Sequence, residues 1–147
     1  MRVIVQRVNY AELSVDEKVV SKIDKGIVVF VGFDSEPSDN TISFLANKVS
    51  NLRIFQDEEG KMNHSVKDVD GEILVVSNFT LYADCSRGTR PNFCNALKAD
   101  RAVIAYEKFV KELKTLMGDK IKTGVFKSHM HIHQECDGPI NIVIDKE

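Results

Sequence analysis

From Arg2 to Val8 apolar and polar positions alternate, with Val3, Val5 and Arg7 on one side and Ile4, Gln6 and Val8 on the other. A period of two predicts a strand with one partly polar face. A short strand over Ala11–Val15 follows, Asp16-Glu17-Lys18 is a polar turn, and Val19–Ile23 and Ile27–Phe33 complete what reads as a meander. The run Ile27-Val28-Val29-Phe30-Val31 is apolar on both faces, so it is expected in the centre of a sheet with cover on each side. After Pro37 the spacing changes. Ile42, Leu45, Ala46, Val49 and Leu52 fall on one stripe of a helix opening near Ser38 or Asp39. Asp57 to Lys61 is a charged hairpin turn, and Glu72–Leu81 is the next strong strand. Asp84–Asn95 has no periodicity and is a loop of a length uncommon without a function. Asp100 is expected to cap a second helix carrying Ala102, Tyr106, Phe109, Val110, Leu113, Leu116 and Met117 on one face and lysines on the other, ended by Gly118. Strands near Lys122–Phe126 and Ser128–Glu135, a tight turn at Asp137-Gly138-Pro139 and a strand over Ile140–Ile144 finish the chain. The sum is an α+β fold: a curved, barrel-like, mostly antiparallel sheet covered by two main helices.

Length bounds the rest. The 147 residues predict a single domain over 1–147, and a chain of this size buries about 70% of the surface its unfolded form exposes, enough for a core without staples. Basic and acidic residues nearly balance, 20 against 22. That argues against a disordered tail and against a dedicated, strongly basic nucleic-acid binder, so any nucleic acid must be met by a local patch. No apolar run approaches the roughly 18 residues of a membrane span, and the alternating first residues are unlike a signal peptide. The expectation is a cytoplasmic protein with no membrane or DNA partner. Cys85, Cys94 and Cys136 include no C-x-x-C pair, so neither a disulfide framework nor a four-thiolate zinc site is in view, and free, buried or half-buried thiols are expected.

Candidate chemistry is spread along the chain. Ser77-Asn78-Phe79-Thr80 ends the very apolar Ile73–Val76 run, where polar side chains just past a buried strand make natural site material. Thr80 is a possible nucleophile but has no base near it in sequence, and Ser77 and Thr80 read equally as hydrogen-bonded strand residues. Asp137-Gly138-Pro139 is either an ordinary hairpin turn or a place where backbone carbonyls are aimed at a ligand. His129, His131 and His133 alternate on one strand face, but the outer pair is about 13 Å apart at strand rise, so a shared metal needs a bulge or a second chain. Arg87, Arg90, Lys98 and Arg101 gather charge around the long loop, and Lys120, Lys122 and Lys127 form another set; solvated surface and phosphate contact are both open.

Four separated segments, taken in order, resemble the D-aminoacyl-tRNA deacylase family: Gln6-Arg7-Val8, the stretch from Gly71 to Ala83 containing Ser77-Asn78-Phe79-Thr80, the loop Gly88-Thr89-Arg90-Pro91-Asn92-Phe93, and Asp137-Gly138-Pro139. The resemblance runs end to end. It implies a homodimer of barrel-like subunits in which the Gly138-Pro139 turn, its peptide in cis, enters the partner's site and admits only a D amino acid or glycine at the chiral centre. It further implies catalysis at Ser77, Phe79 and Thr80 with help from the 2′-hydroxyl of the terminal adenosine, and substrate contacts from Asn78, Gly138, Pro139, Phe126, Met130 and Ala96. Arg87, Arg90 and Lys127 are then candidate tRNA contacts, and no metal or other cofactor is required. The implied activity is hydrolysis of D-aminoacyl-tRNA, with glycyl-tRNA as a further candidate. This chain has Asn78 where the family usually has Gln, Cys136 for Asn, Asn141 for Thr, and Lys127 for Gly. Those departures and the three histidines define an alternative, a non-hydrolytic scaffold that binds tRNA, another ligand or a metal.

Overall fold

The spine of the molecule is one long strand, β1 (Arg2–Val15), and both of its edges are used. The computed structural model describes residues 1–147. Along one edge lie β2 (Lys18–Ile23) and β3 (Gly26–Gly32), placed end to end: Val15 pairs with Lys18, Ala11 with Ile23, Val8 with Gly26 and Arg2 with Gly32. The expected meander is therefore a single long hairpin. Asp16 and Glu17 both have positive φ, 49° and 62°, the two-residue connection that matches strand twist. Lys25-Gly26 does not reverse the chain, because β2 and β3 keep the same direction against β1.

β8 (His131–Asp145) covers the other edge of β1 from Ser14↔His131 to Arg2↔Asp145. Its continuity corrects the sequence reading, which divided this stretch into two strands joined by a turn. Asp137-Gly138-Pro139 lies inside β8 as a bulge. Gln6 faces Asn141 and Val8 faces Cys136, so Asp137 to Ile140 all stand opposite the single residue Arg7.

Beyond β3 the sheet becomes parallel. β6 (Glu72–Ser77) pairs with β3 and β7 (Ile121–Thr123) pairs with β6, and parallel neighbours need crossovers. The first contains α1 (Asp39–Asn51) and the small hairpin of β4 (Phe55–Gln56) and β5 (Met62–His64); the second contains α2 (Ala99–Met117). The Ser21 hydroxyl donates to the Thr123 carbonyl, bringing the end of β7 against β2 and curling the sheet almost into a barrel. α1 is capped by Ser38, whose Oγ accepts from the Thr41 N–H at 3.1 Å. α2 opens at Ala99 after Lys98, which makes no side-chain cap, and Asp100 sits in the first turn. There its charge still favours the positive end of the helix. Gly118 ends α2 at φ +60°.

The two-sided apolar run is explained by two cores. Ile27, Val29 and Val31 join Val3, Val5, Ile73 and Val75 beneath the helices, against Leu45, Val49, Phe109 and Leu113. Val28 faces the other way, into a smaller cluster with Val8, Leu13, Leu74 and Val76 inside the curl of the sheet. The three thiols, expected free and buried or half-buried, are free but all exposed. No helix is long and apolar enough to cross a membrane.

Candidate active site

The strand expected to run to Leu81 stops at Ser77. The Asn78 N–H makes a last ladder-like bond to the Val31 carbonyl at 2.8 Å. The Asn78 side chain then turns the chain: its Oδ1 accepts from the Thr80 N–H at 3.1 Å and from the Thr80 hydroxyl, opening a 3-10 turn over Phe79–Tyr82. Thr80 is thus on a turn and not on a strand. Its hydroxyl gives its proton to an amide oxygen, which cannot act as a base at neutral pH. The Phe79 N–H, at the first position of the turn, has no partner within it.

This turn forms one wall of a cavity of about 680 Å³, lined by 20 residues of which 13 are hydrophobic. Ser77, Asn78, Phe79 and Thr80 line one side, Phe126, Lys127, Ser128, His129 and Met130 another, and Phe93, Ala96 and Leu97 close it. Nine of the residues singled out from sequence therefore meet in one place: Ser77, Asn78, Phe79, Thr80, Ala96, Phe126, Lys127, His129 and Met130. Phe93 was not singled out for the site. It stacks edge-to-face on Phe79 with centroids 5.1 Å apart, and both rings stay largely exposed, 40% and 58%, as an aromatic pair at the cavity wall. The long loop delivers Phe93. An isolated bridge between Asp84 and Asn92 ties the loop's base, bonded in both directions at 2.7 and 2.9 Å.

Behind Phe126 stands Tyr106 of α2, its ring 5.7 Å away and its hydroxyl donating to the Val75 carbonyl at 2.9 Å. Burial pushes that phenol well above its ordinary range, so it remains a neutral donor that fixes the wall. Lys127 is exposed at the lip of the cavity and holds a left-handed backbone, φ +65°. Its ammonium makes no ion pair within the chain.

Gly138 and Pro139 do not reach this cavity. They are exposed on the β8 bulge, with the peptide between them cis and Gly138 at φ +140°. A Cβ on Gly138 would sit 2.6 Å from the Ile140 nitrogen and 2.8 Å from its Cγ1. The bulge is held from behind by Arg7, which is only 7% exposed. Its Nε lies 3.0 Å from Asp137 Oδ2 and 3.2 Å from the Asp137 carbonyl, and its Nη1 donates to the Ile54 carbonyl. Sequence reasoning placed Arg7 on the same side of its strand as Val3 and Val5 without giving it this task. A lone Arg in an apolar alternation was the available signal.

Arg87 and Arg90 are exposed in the 84–92 loop, away from the cavity lining. His129 precedes β8 and packs edge-to-face on His131 at 4.9 Å, whereas His133 lies against Tyr10 at 6.4 Å. The three are not gathered, and no group of three or more His, Cys, Asp or Glu side chains converges in a way that could hold a metal ion.

The sequence model of the family described as D-Tyr-tRNA(Tyr) deacylase matches residues 4–145. The chain belongs to that family. A D-aminoacyl-tRNA deacylase of Thermotoga petrophila is 51% identical over 145 residues, which is 99% of this chain and 97% of the relative. One of Clostridium perfringens is 47% identical over 147 residues, 100% of this chain and 98% of the relative. Among solved structures, one titled c-Myc DNA Unwinding Element Binding Protein superposes with a TM-score of 0.94 at 35% identity, covering 100% of this chain and 99% of its own. A probable eukaryotic D-amino acid tRNA deacylase superposes at 0.87 with 18% identity over 99% of this chain and 98% of its own, a likeness of fold. The segments on which the resemblance rests fall in three places: the cavity wall from Ser77 to Thr80, the loop that delivers Phe93, and the bulge held by Arg7.

Proposed function

We infer that this chain hydrolyses the ester bond of D-aminoacyl-tRNA, releasing the D-amino acid and a tRNA with a free terminal hydroxyl. Water supplies the hydroxyl that ends on the amino acid's carboxyl group, and the ester oxygen leaves with a proton on the ribose. The observation that carries this reading is the cavity itself: a largely apolar pocket with polar residues on two sides, Ser77–Thr80 and Lys127–His129, in which no hydroxyl is hydrogen-bonded to a base. An aminoacyl ester is already activated. Orienting it and polarising its carbonyl supplies much of the barrier reduction, so backbone donors beside Phe79 are a sufficient kind of machinery. The volume suits a terminal nucleoside with its ester, within the range of about 300–1,000 Å³ usual for small-ligand sites.

In this reading Ser77, Phe79 and Thr80 surround the reacting ester, with the 2′-hydroxyl of the terminal ribose assisting. Asn78 shapes the turn, and Ala96, Phe126 and Met130 bound the substrate. Lys127 meets a phosphate near the 3′ end, and Arg87 and Arg90 meet others. Chirality is read by a second copy of the chain. The exposed Gly138–Pro139 bulge of the partner subunit enters the cavity and leaves no room for an L side chain, while a D side chain, or the hydrogen of glycine, avoids it. A rigid wall of this kind rejects the wrong enantiomer without weakening the right one. The bulge's exposure, its support by Arg7 and its separation from its own chain's cavity all favour a site shared between subunits. The working compartment is the cytoplasm, where charged tRNA is used.

Neither Asn78 nor Lys127 stands against hydrolysis, since the first caps a turn and the second is exposed at the lip. Purified protein mixed with matched D-tyrosyl, L-tyrosyl and glycyl tRNA, with chelator present, tests the reading. Rapid release from the D ester with the L ester left intact is expected. Equal release from both enantiomers, or none from any, overturns it.

A further inference from the structure

A second depression lies directly behind the cavity wall. It lies between one flank of α2 and the end of β7, has a volume of about 590 Å³, and is lined by Tyr106, Glu107, Val110, Lys111, Lys114, Thr115 and Thr123. Two residues join it to the cavity. Tyr106 lines the groove with its ring packed on Phe126, which lines the cavity, and Thr123 lines the groove just before the segment 126–130 forms the cavity's far side. The groove and the cavity thus meet at one wall, and Lys127 is exposed at the cavity's lip.

The charge in the groove is available. Lys108 is engaged with Asp39, Lys120 with Asp70 and Arg101 with Glu36, whereas Lys111 and Lys114 have no carboxylate within ion-pair distance. Glu107 shares the groove and bonds to neither. Helical spacing sets Lys111 and Lys114 three residues apart on one face, four and seven after Glu107. Only Tyr106 and Val110 are hydrophobic among the lining residues, and the groove is shallow and open. These are properties of a surface that meets a backbone, where ammonium groups contact phosphates without reading sequence.

Resting on the function inferred above, we propose that this groove carries the acceptor-stem phosphates of tRNA, with Lys111 and Lys114 as the contacts, once the 3′ end has passed over Lys127 into the cavity. The RNA then leaves the site along α2.

The test compares wild type with Lys111→Gln/Lys114→Gln and with Arg87→Gln/Arg90→Gln, using uncharged tRNA, D-tyrosyl-tRNA and the D-tyrosyl ester of adenosine, which has no acceptor stem. For the α2 pair, affinity for uncharged tRNA is expected to fall about tenfold and the salt dependence of binding to lose a slope of about 1.5, near the loss of two phosphate contacts. KM for D-tyrosyl-tRNA rises in parallel, kcat stays within about twofold, and hydrolysis of the adenosine ester is unchanged. Unchanged tRNA affinity and salt slope in the α2 pair overturn the proposal. So does loss confined to the Arg87/Arg90 pair, or an equal loss on the adenosine ester. Binding of uncharged tRNA judges the groove even if wild type releases no tyrosine, an outcome that counts against the inferred hydrolysis and not against the groove.

Discussion

Two residues of positive φ bear on the proposed site, and substitution acts on them in opposite directions. Gly138 at φ +140° has no space for a Cβ, because the backbone nitrogen of Ile140 is 2.6 Å from where it would stand. Gly138→Ala is therefore expected to move the bulge, cutting release from the D ester at least tenfold or raising release from the L ester. Paired assays on the two enantiomers check it, and unchanged rate and selectivity count against a role for the bulge. Lys127 is the converse, a long side chain at φ +65° where an L residue costs about 1 kcal/mol. Lys127→Gly is expected to raise the melting temperature by about 2–4 °C while weakening tRNA affinity, a split that thermal melts and binding titrations separate. At this scale the sequence was informative about identity and less so about posture. The Ser77–Thr80 segment, Ala96, Phe126 and Met130 could be named as one site only through resemblance, since nothing in their spacing tells that the 79–82 turn and the 126–130 segment face each other. That Thr80 donates to Asn78 was hidden too, because an Asx turn at the end of an apolar strand reads in one dimension as more strand.

At the scale of elements, the bulge in β8 and its clamp are the device most open to test. Arg7 is buried and donates both to Asp137 and to the Ile54 carbonyl. Arg7→Leu removes both donors and leaves two carbonyls and the partly exposed Asp137 carboxylate without them, a loss of about 2–3 kcal/mol by the usual cost of unsatisfied acceptors. Urea unfolding measures it, and a loss below about 0.5 kcal/mol would mean the clamp is idle. Arg7→Lys is expected to recover only part of the loss, because an ammonium does not reproduce the guanidinium fork. Ser38→Ala, removing the α1 cap, is expected to cost about 1 kcal/mol without altering activity. Periodicity found both helices to within a residue or two, as the wide apolar stripes of α1 and α2 make plain. It failed where a chain reversal had to be inferred from composition. Lys25-Gly26 and Asp137-Gly138-Pro139 contain turn residues, yet the first only joins two collinear strands and the second only swells one. The parallel pairing of β3, β6 and β7 was also out of reach, since a run apolar on both faces tells of cover and not of direction.

For the whole molecule, the chain ends are stapled by ionic contacts that set an acid limit. The Met1 ammonium sits 3.0 Å from Asp34, and Arg2 forks onto Asp145 at 2.7 and 3.0 Å across β1 and β8. Burial would raise the Asp34 carboxyl, but hydrogen bonds from the ammonium and nearby backbone outweigh it, and the Arg2 bond lowers Asp145. With both lowered in the folded state, their contribution is complete above the ordinary carboxylate value of about 3.9 and is lost as pH falls through the lower folded values. Urea midpoints are expected to decline below about pH 4, and less steeply in Asp34→Asn/Asp145→Asn. An identical acid limb in that variant would remove these pairs as its cause. The central claim, that one subunit's cavity and the partner's bulge make a single D-selective site, is tested most directly by complementation. Ala96→Trp to block the cavity and Gly138→Trp to spoil the bulge are each expected to be inactive on D-tyrosyl-tRNA. After subunit exchange, their equimolar mixture is expected to regain about a quarter of wild-type sites, one per mixed dimer of a two-fold pair, with L-tyrosyl-tRNA still spared. No recovery between two folded, dimeric variants, or full activity in either alone, would contradict the account.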